Sequence, residues 1–166
     1  LVAGLMMSSV VRLPADSSGL ISLGEPLLFR GVAWLVFGDV PDGYSINMHP
    51  MAFAAWFGLL ATALNLLPAA QLDGGHIAYA VLGQRARFVT IGTVLAVVLL
   101  NTLSFSWALW AALLILMVRI VGLDHPPTLD DHTRLDAPRL WLALFALIML
   151  VVCFTPVPIE TFVAGS

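Results

Sequence analysis

The 166-residue sequence has no lysine, a single cysteine and few charged side chains. One cysteine cannot form a disulfide within the chain or build a cluster of thiolate metal ligands. All seven basic residues are arginines and the net charge is −3, so the chain lacks the clustered positive charge that a nucleic-acid partner requires. These absences exclude an internal disulfide, a cysteine-based metal site and a nucleic-acid partner.

What remains is a strongly apolar chain. Hydrophobic residues make up 60% of the sequence and charged residues only 10%, whereas soluble domains carry about 25% charged residues. Such a composition is typical of proteins that lie in a lipid bilayer. We therefore predict an all-α fold, a polytopic transmembrane helical bundle, and an integral membrane protein that crosses the bilayer several times.

Apolar runs and polar interruptions divide the chain into five parts. Residues 1–11 are too short to cross a bilayer and start without Met, so we interpret them as the end of a span in a fragment of a longer protein. The other parts are a loop or interfacial segment at 12–49, a broken span at 50–83, a helical hairpin at 88–123 and a last span at 139–155. Within the second part, Pro26–Phe37 is predicted to form either an amphipathic interfacial helix or a re-entrant piece.

The broken span has the most informative pattern. Met51–Leu67 is an apolar run, and Pro68 ends it because proline lacks a backbone donor and clashes with the preceding turn. A helix can resume at Leu72–Gly83. Broken helices at membrane depth are tolerated only where they are buried in protein or line a cavity, so the break is a candidate functional site.

Asp73 and Asn65 lie on either side of this break. A carboxylate at membrane depth is costly without a partner, and its hard oxygen suits Zn²⁺, so Asp73 is a candidate metal ligand. It is equally a candidate N-cap for the resuming helix. Asn65 can hydrogen-bond a substrate carbonyl or an oxyanion, or simply a neighbouring helix. Gly74 and Gly75 lack Cβ atoms and let another backbone come close.

These residues carry a family resemblance. Asn65-Leu66-Leu67-Pro68 followed by Leu72-Asp73-Gly74-Gly75 resembles the second signature of the site-2 protease family of intramembrane zinc metalloproteases. His49-Pro50 and Trp56-Phe57-Gly58-Leu59 are similar to the branch with the plant chloroplast members and their bacterial relatives. The resemblance is strongest over Ile46–Gly83. It implies that the whole chain, residues 1–166, is the C-terminal part of one transmembrane protease domain.

The resemblance also implies roles for individual residues. Asp73 matches the third zinc ligand, and Asn65 matches the asparagine that assists the tetrahedral intermediate or positions the substrate. Pro68 matches the break that lets the ligand loop reach the metal. The cofactor is then Zn²⁺, and the family's other two ligands and general base come from a His-Glu-x-x-His helix earlier in the chain.

This sequence contains no His-Glu-x-x-His, because none of its four histidines is followed by glutamate. We therefore expect the chain to be incomplete and inactive by itself, as a fragment that lacks the zinc helix. Two alternatives stay open. The chain is either an inactive member of the family, or a membrane transporter or scaffold that uses a broken helix.

The histidines have weaker interpretations. His76, one helical turn after Asp73, either approaches the metal or faces the surface. His49, at the start of a span, is expected to cap the helix or lie at the interface. His125 and His132 lie among aspartates in a polar loop, where solvated charge needs no ion.

The partners implied by the resemblance are the lipid bilayer and a transmembrane protein substrate. A helical peptide bond is shielded from attack, so the substrate must unwind, and an exposed strand edge can hold it extended. Leu20–Gly24 and Tyr44–Met48 are the candidate edges. The absence of lysine and the content of Ala, Leu and Val favour a bacterial inner membrane over a chloroplast membrane. The oligomeric state is not predicted.

Overall fold

In the computed structural model, the chain is described over residues 1–13, 21–69, 71–122 and 135–161, and most of these residues are helical. They divide into two compact units, Leu1–Ala61 with Val152–Ser166, and Thr62–Val151. The prediction of a mainly helical chain is confirmed. The expectation of an all-α fold is incomplete, because the first unit also contains strands.

Four short strands form two small antiparallel sheets in the described part of the first unit. Strand β1 (Ser9–Arg12) pairs with β3 (Tyr44–Asn47), and β2 (Ile21–Leu23) pairs with β4 (Ile159–Thr161). Each strand has only three or four residues, too few for a clear alternating pattern. Their partners also lie far apart in the chain, so the sequence pattern predicted extended edges near β2 and β3 but no sheets.

The helices of the first unit begin with a difference from prediction. Residues 1–11 are not one helical segment, since α1 covers only Val2–Met6 and β1 follows directly. The interfacial segment does contain a helix as expected, α2 at Leu27–Phe37. It ends at Gly38, whose φ of 71° is readily adopted by a residue without a Cβ.

The main helix of this unit, α3 (Pro50–Asn65), is capped at its start by His49. The Nδ1 atom of His49 accepts a hydrogen bond from the Met51 N–H at 3.2 Å, and the His49 N–H donates to Ser8 Oγ at 2.9 Å. The Nδ1 atom of His49 therefore serves as a side-chain cap for the first turn of α3. The predicted capping role of His49 is confirmed.

A close helix contact accompanies this cap. A Cβ added to Gly4 of α1 would lie 2.7 Å from the Ala52 Cα, closer than real side chains come. Ser8 Oγ also donates to the Gly4 carbonyl at 2.8 Å. The start of α3 therefore packs directly on the backbone of α1.

Trp56 connects α3 to the second small sheet. Its indole Nε1 donates to the Gly24 carbonyl at 2.7 Å, and the side chain is almost fully buried at 1% exposure. The Gly24 N–H donates in turn to the Pro158 carbonyl at 2.9 Å. A buried indole needs such an acceptor, so Trp56 orients the end of β2 against the helix.

The second unit is built from helices. After the end of α3, these are α4 (Asp73–Leu82), α5 (Ala86–Leu100), α6 (Trp107–Val121) and the greater part of α7 (Ala137–Cys153). A 3₁₀ turn at Gly83–Arg85 joins α4 to α5, and Gly83 has a φ of 59°. These helices overlap the predicted broken span, hairpin and last span, although α5 and α7 each begin two residues before the predicted bounds.

One helical run, Asp73–Leu100 with 28 residues, is long and apolar enough by composition to cross a membrane. The other apolar helices of the described chain have 11 to 17 residues. Large apolar side chains lie on the outside of these helices, including Leu109 at 62% exposure and Leu142 at 67%. Water is a poor solvent for such surfaces, and lipid is a good one.

Candidate metal centre

The candidate site lies at the break between α3 and α4, inside the second unit. α3 ends at Asn65 and α4 begins at Asp73. The segment between them is a compact turn, in which the Leu67 N–H donates to the Leu64 carbonyl at 3.3 Å and the Leu72 N–H donates to the Ala69 carbonyl at 3.1 Å. The two candidate residues are thus the last residue of one helix and the first of the next.

Asp73 occupies the first turn of α4 but is not its N-cap. The N-cap position belongs to Leu72, which has extended backbone angles and no side chain able to cap. The Asp73 carboxylate is exposed, and among the described residues it has no hydrogen-bond or ion-pair partner. The capping interpretation of Asp73 is therefore wrong, and the helix dipole favours a negative charge at this end.

Asn65 is also exposed, and its side chain has no partner within the described ranges. The helix–helix hydrogen bond considered for it is therefore not formed by this part of the chain. Its amide offers both a donor and an acceptor at the end of α3. The assignments of Asn65 to catalysis and of Asp73 to metal binding stay predictions.

Gly74 explains how the two helix ends come together. A Cβ built on Gly74 would overlap the Leu66 carbonyl group and would lie 2.6 Å from the Leu67 carbonyl oxygen. Both contacts are with backbone, which cannot swing away as a flexible side chain can. The first turn of α4 therefore packs on the backbone just beyond the end of α3, at a distance that only glycine permits.

The donor set is consistent with one ligand of a metal site and not with a complete site. Catalytic zinc usually has three protein ligands, and a carboxylate oxygen is one of its accepted types. In the part of the chain that the structure describes, no three His, Cys, Asp or Glu side chains come together. His76 is exposed on α4, and His49 caps α3. The loop with His125 and His132 lies outside the described residues.

Comparison with known proteins defines the class. Residues 35–109 match the family described as Peptidase family M50, a region that includes Asn65, Pro68 and Asp73. The resemblance to the site-2 protease family of metalloproteases is thereby confirmed.

Named relatives agree with this class. The chain is 32% identical over 145 residues to "Probable zinc metalloprotease EGY2, chloroplastic" of Arabidopsis thaliana. The aligned region covers 82% of this chain and 26% of that protein. It is 34% identical over 112 residues to the protein of the same name from Oryza sativa subsp. indica, covering 62% of the chain and 21% of the relative. It is 35% identical over 115 residues to "Probable zinc metalloprotease EGY1, chloroplastic" of Arabidopsis thaliana, covering 68% and 20%. No solved structure gives a significant match.

Two consequences follow from these comparisons. The chain spans a fifth to a quarter of the length of the curated relatives named here. These relatives are named as chloroplastic plant proteins, so the prediction of a bacterial inner membrane has no support from them.

Sequence reasoning missed one residue of the site. Thr93 of α5 donates a hydrogen bond from Oγ1 to the Pro68 carbonyl at 3.2 Å, inside the break. A threonine in an apolar helix is ordinary, and nothing in its neighbourhood along the chain points to the break. Only the packing of α5 against the break shows this contact.

Proposed function

We propose that this chain forms part of a zinc-dependent protease that cleaves transmembrane substrates within the membrane, and that Asp73 supplies one of its metal ligands. The observation that carries the proposal is the Asp73 carboxylate, which is exposed beside a glycine-packed helix break and has no partner in the described chain. It lies inside the region that matches the M50 peptidases. The relatives' printed names support zinc as the metal.

The two remaining ligands and the general base come, in this proposal, from polypeptide outside these 166 residues. This assignment is supported by the missing His-Glu-x-x-His and by the short share of the relatives that the chain covers. When bound, zinc supplies a Lewis acid and lowers the pKa of a bound water. Asp73 would hold the metal through a carboxylate oxygen, at a helix start where the dipole favours negative charge and where the backbone packs closely at Gly74.

Asn65 is proposed to bind the reacting carbonyl of the substrate. Its amide NH₂ can donate to the oxygen on which negative charge develops during attack, and such donors act without reorganisation when they are held in place. The end of α3 fixes its backbone, and the break that follows leaves its side chain exposed. Pro68 contributes by ending the helix, so that Asn65 and Asp73 are not separated by continuous helical turns.

The substrate is proposed to bind as an extended peptide in the first unit. A groove of about 780 Å³ there is lined by all of β2 and β3, together with apolar side chains of α3 such as Phe53 and Phe57. Each two-stranded sheet leaves strand edges unpaired, and such edges can take up an additional strand by main-chain hydrogen bonds. These strands correspond to the edges predicted from Leu20–Gly24 and Tyr44–Met48, as far as the structure describes them.

The apolar outer surfaces of the helices support a location in a bilayer. Phe105, Ile120 and Trp141 are 84%, 74% and 70% exposed. In water these side chains would favour aggregation, whereas lipid chains cover them without cost.

Zinc content and cleavage of the full-length protein test the proposal. Asp73→Ala should lower bound zinc and abolish cleavage of a transmembrane reporter, while Asp42→Asn, an exposed acid in the turn before β3, should leave both unchanged. Full zinc content together with full cleavage after Asp73→Ala would overturn the assignment. Protein that never contains zinc would favour an inactive relative or a transporter.

A further inference from the structure

A side chain of α5 hydrogen-bonds to the break between α3 and α4. Thr93 Oγ1 lies 3.2 Å from the Pro68 carbonyl oxygen and 3.0 Å from the carbonyl oxygen of Val89, four residues earlier in the same helix. In an isolated helix the hydroxyl would serve the Val89 carbonyl alone, which is the common arrangement for threonine in apolar helices. The single hydroxyl proton is therefore shared between the Val89 carbonyl of α5 and the Pro68 carbonyl of the break, and this shared bond links two different elements of the fold.

The hydrogen bonds of the break show why this link is needed. Carbonyls of Leu64, Leu67 and Ala69 accept bonds from backbone N–H groups within the segment. The Pro68 carbonyl accepts none of these, and in the described chain its hydrogen bond comes from α5. An unpaired carbonyl in apolar surroundings is costly, so the Thr93 hydroxyl stabilises the observed path of the break.

Two contacts then determine how Asp73 is presented. Gly74 packs on the carbonyls of Leu66 and Leu67, and Thr93 holds the carbonyl of Pro68. One contact lies directly after Asp73 and the other lies earlier in the break. We propose that Thr93 is a positioning residue for Asp73, which acts by fixing the backbone from Pro68 to the start of α4. The inference rests on the proposed function of Asp73 as a metal ligand.

Substitutions at Thr93 separate the hydroxyl from the shape of the side chain. Thr93→Val keeps the branched shape and removes the donor, and Thr93→Ser keeps the donor and removes the methyl group. Thr102→Val is the matched control, because Thr102 lies just beyond the end of α5 and its hydroxyl donates to the Leu99 carbonyl at 2.7 Å, with no hydrogen bond to the described residues of the break.

The test uses the full-length protein in detergent micelles, with two measurements. The zinc dissociation constant is measured by competition with a chromophoric chelator, and amide hydrogen exchange of residues 71–76 is measured by mass spectrometry. Thr93→Val should weaken zinc binding about 3-fold, and at most about 20-fold, given the strength of side-chain hydrogen bonds between membrane helices. Exchange at 71–76 should accelerate by a similar factor. Thr93→Ser should return both values to within about twofold, and Thr102→Val should change neither.

The two measurements distinguish a wrong positioning role for Thr93 from a wrong ligand role for Asp73. If Asp73→Ala leaves zinc binding unchanged, Asp73 is not a ligand, and the exchange measurement still tests whether Thr93 fixes the break. Unchanged exchange and zinc affinity in Thr93→Val would overturn the positioning role. Faster exchange spread equally over α6, or no recovery in Thr93→Ser, would overturn it as well, because either result would mean a general packing role.

Discussion

The starts of α3 and α4 differ in whether a side chain accepts a hydrogen bond from their first backbone N–H groups. α3 begins with a side-chain cap, in which His49 Nδ1 accepts the Met51 N–H. α4 begins after Leu72, which has no capping side chain, although the acidic Asp73 stands next to it. A helix can use a carboxylate to stabilise its own first turn. Here the carboxylate is left exposed, which is what a residue with an external partner requires.

The two helix starts also differ in what supports them. The start of α3 is held by side-chain hydrogen bonds through Ser8 and by the contact of Gly4 with Ala52. The start of α4 is held by the backbone contact at Gly74 and the external bond from Thr93 to Pro68. The hydrogen bonds and close contacts that hold the candidate site are thus made by the residues around Asp73 and not by its carboxylate, so we expect the fold to survive replacement of Asp73.

The largest expected effect comes from Asp73→Asn. Loss of a charged ligand should reduce proteolysis by the full-length protein at least about 100-fold. The midpoint of thermal unfolding should stay within about 2 °C of the unmodified protein, because the carboxylate has no partner in the described chain. Proteolysis of a reporter and differential scanning fluorimetry measure the two quantities. A large fall in the unfolding midpoint would show that Asp73 supports α4 after all.

Gly74→Ala should instead lower the stability of the fold, at the residue next to Asp73. The added Cβ overlaps the Leu66 carbonyl group, so the two helices must move apart at a cost of about 1–3 kcal/mol in the free energy of unfolding. Gly92→Ala is the matched control, because a Cβ there meets nothing within 4 Å in α5. That control should be neutral or stabilise by up to about 1 kcal/mol. Equal effects of the two substitutions in chemical denaturation would refute the close approach.

Trp56→Phe probes the support of α3 in the first unit. It removes the hydrogen bond to the Gly24 carbonyl and leaves that acceptor without its donor, which should cost about 1–2 kcal/mol of unfolding free energy. Trp34→Phe is the control, because Trp34 is 58% exposed on α2. Denaturation curves followed by circular dichroism compare them. A loss from Trp34→Phe as large as that from Trp56→Phe would contradict the role of the indole hydrogen bond.

The smallest effect is expected at the cap of α3. His49→Ala should lower the free energy of unfolding by about 1 kcal/mol because the Met51 N–H loses its acceptor. His49→Asn should recover most of this loss, since its side-chain oxygen can accept the same bond. Zinc content should be unchanged in both variants. A fall in zinc content with His49→Ala would identify this histidine as a ligand and contradict the capping role.

Much of the helical pattern could be predicted, and the small sheets could not. The runs around α3, α5 and α6 are apolar over 15 or 16 residues, long enough for composition alone to indicate helices. Only part of residues 1–11 is helical, and the sequence did not show this because a five-residue helix and a four-residue strand together resemble one apolar segment. Strands β2 and β4 pair across most of the chain, and such pairing has no local signal.

The sequence by itself determined where the chemistry can lie. Pro68 predicts the break because proline stops a helix, and the resemblance of the pattern around Asn65 and Asp73 to a family signature makes Asp73 the candidate metal ligand, since a carboxylate suits zinc. The tertiary structure decided how that acid is presented. Leu72 takes the N-cap position, Gly74 admits a backbone contact and Thr93 of a later helix binds the break. These contacts depend on distances between segments, which packing alone sets.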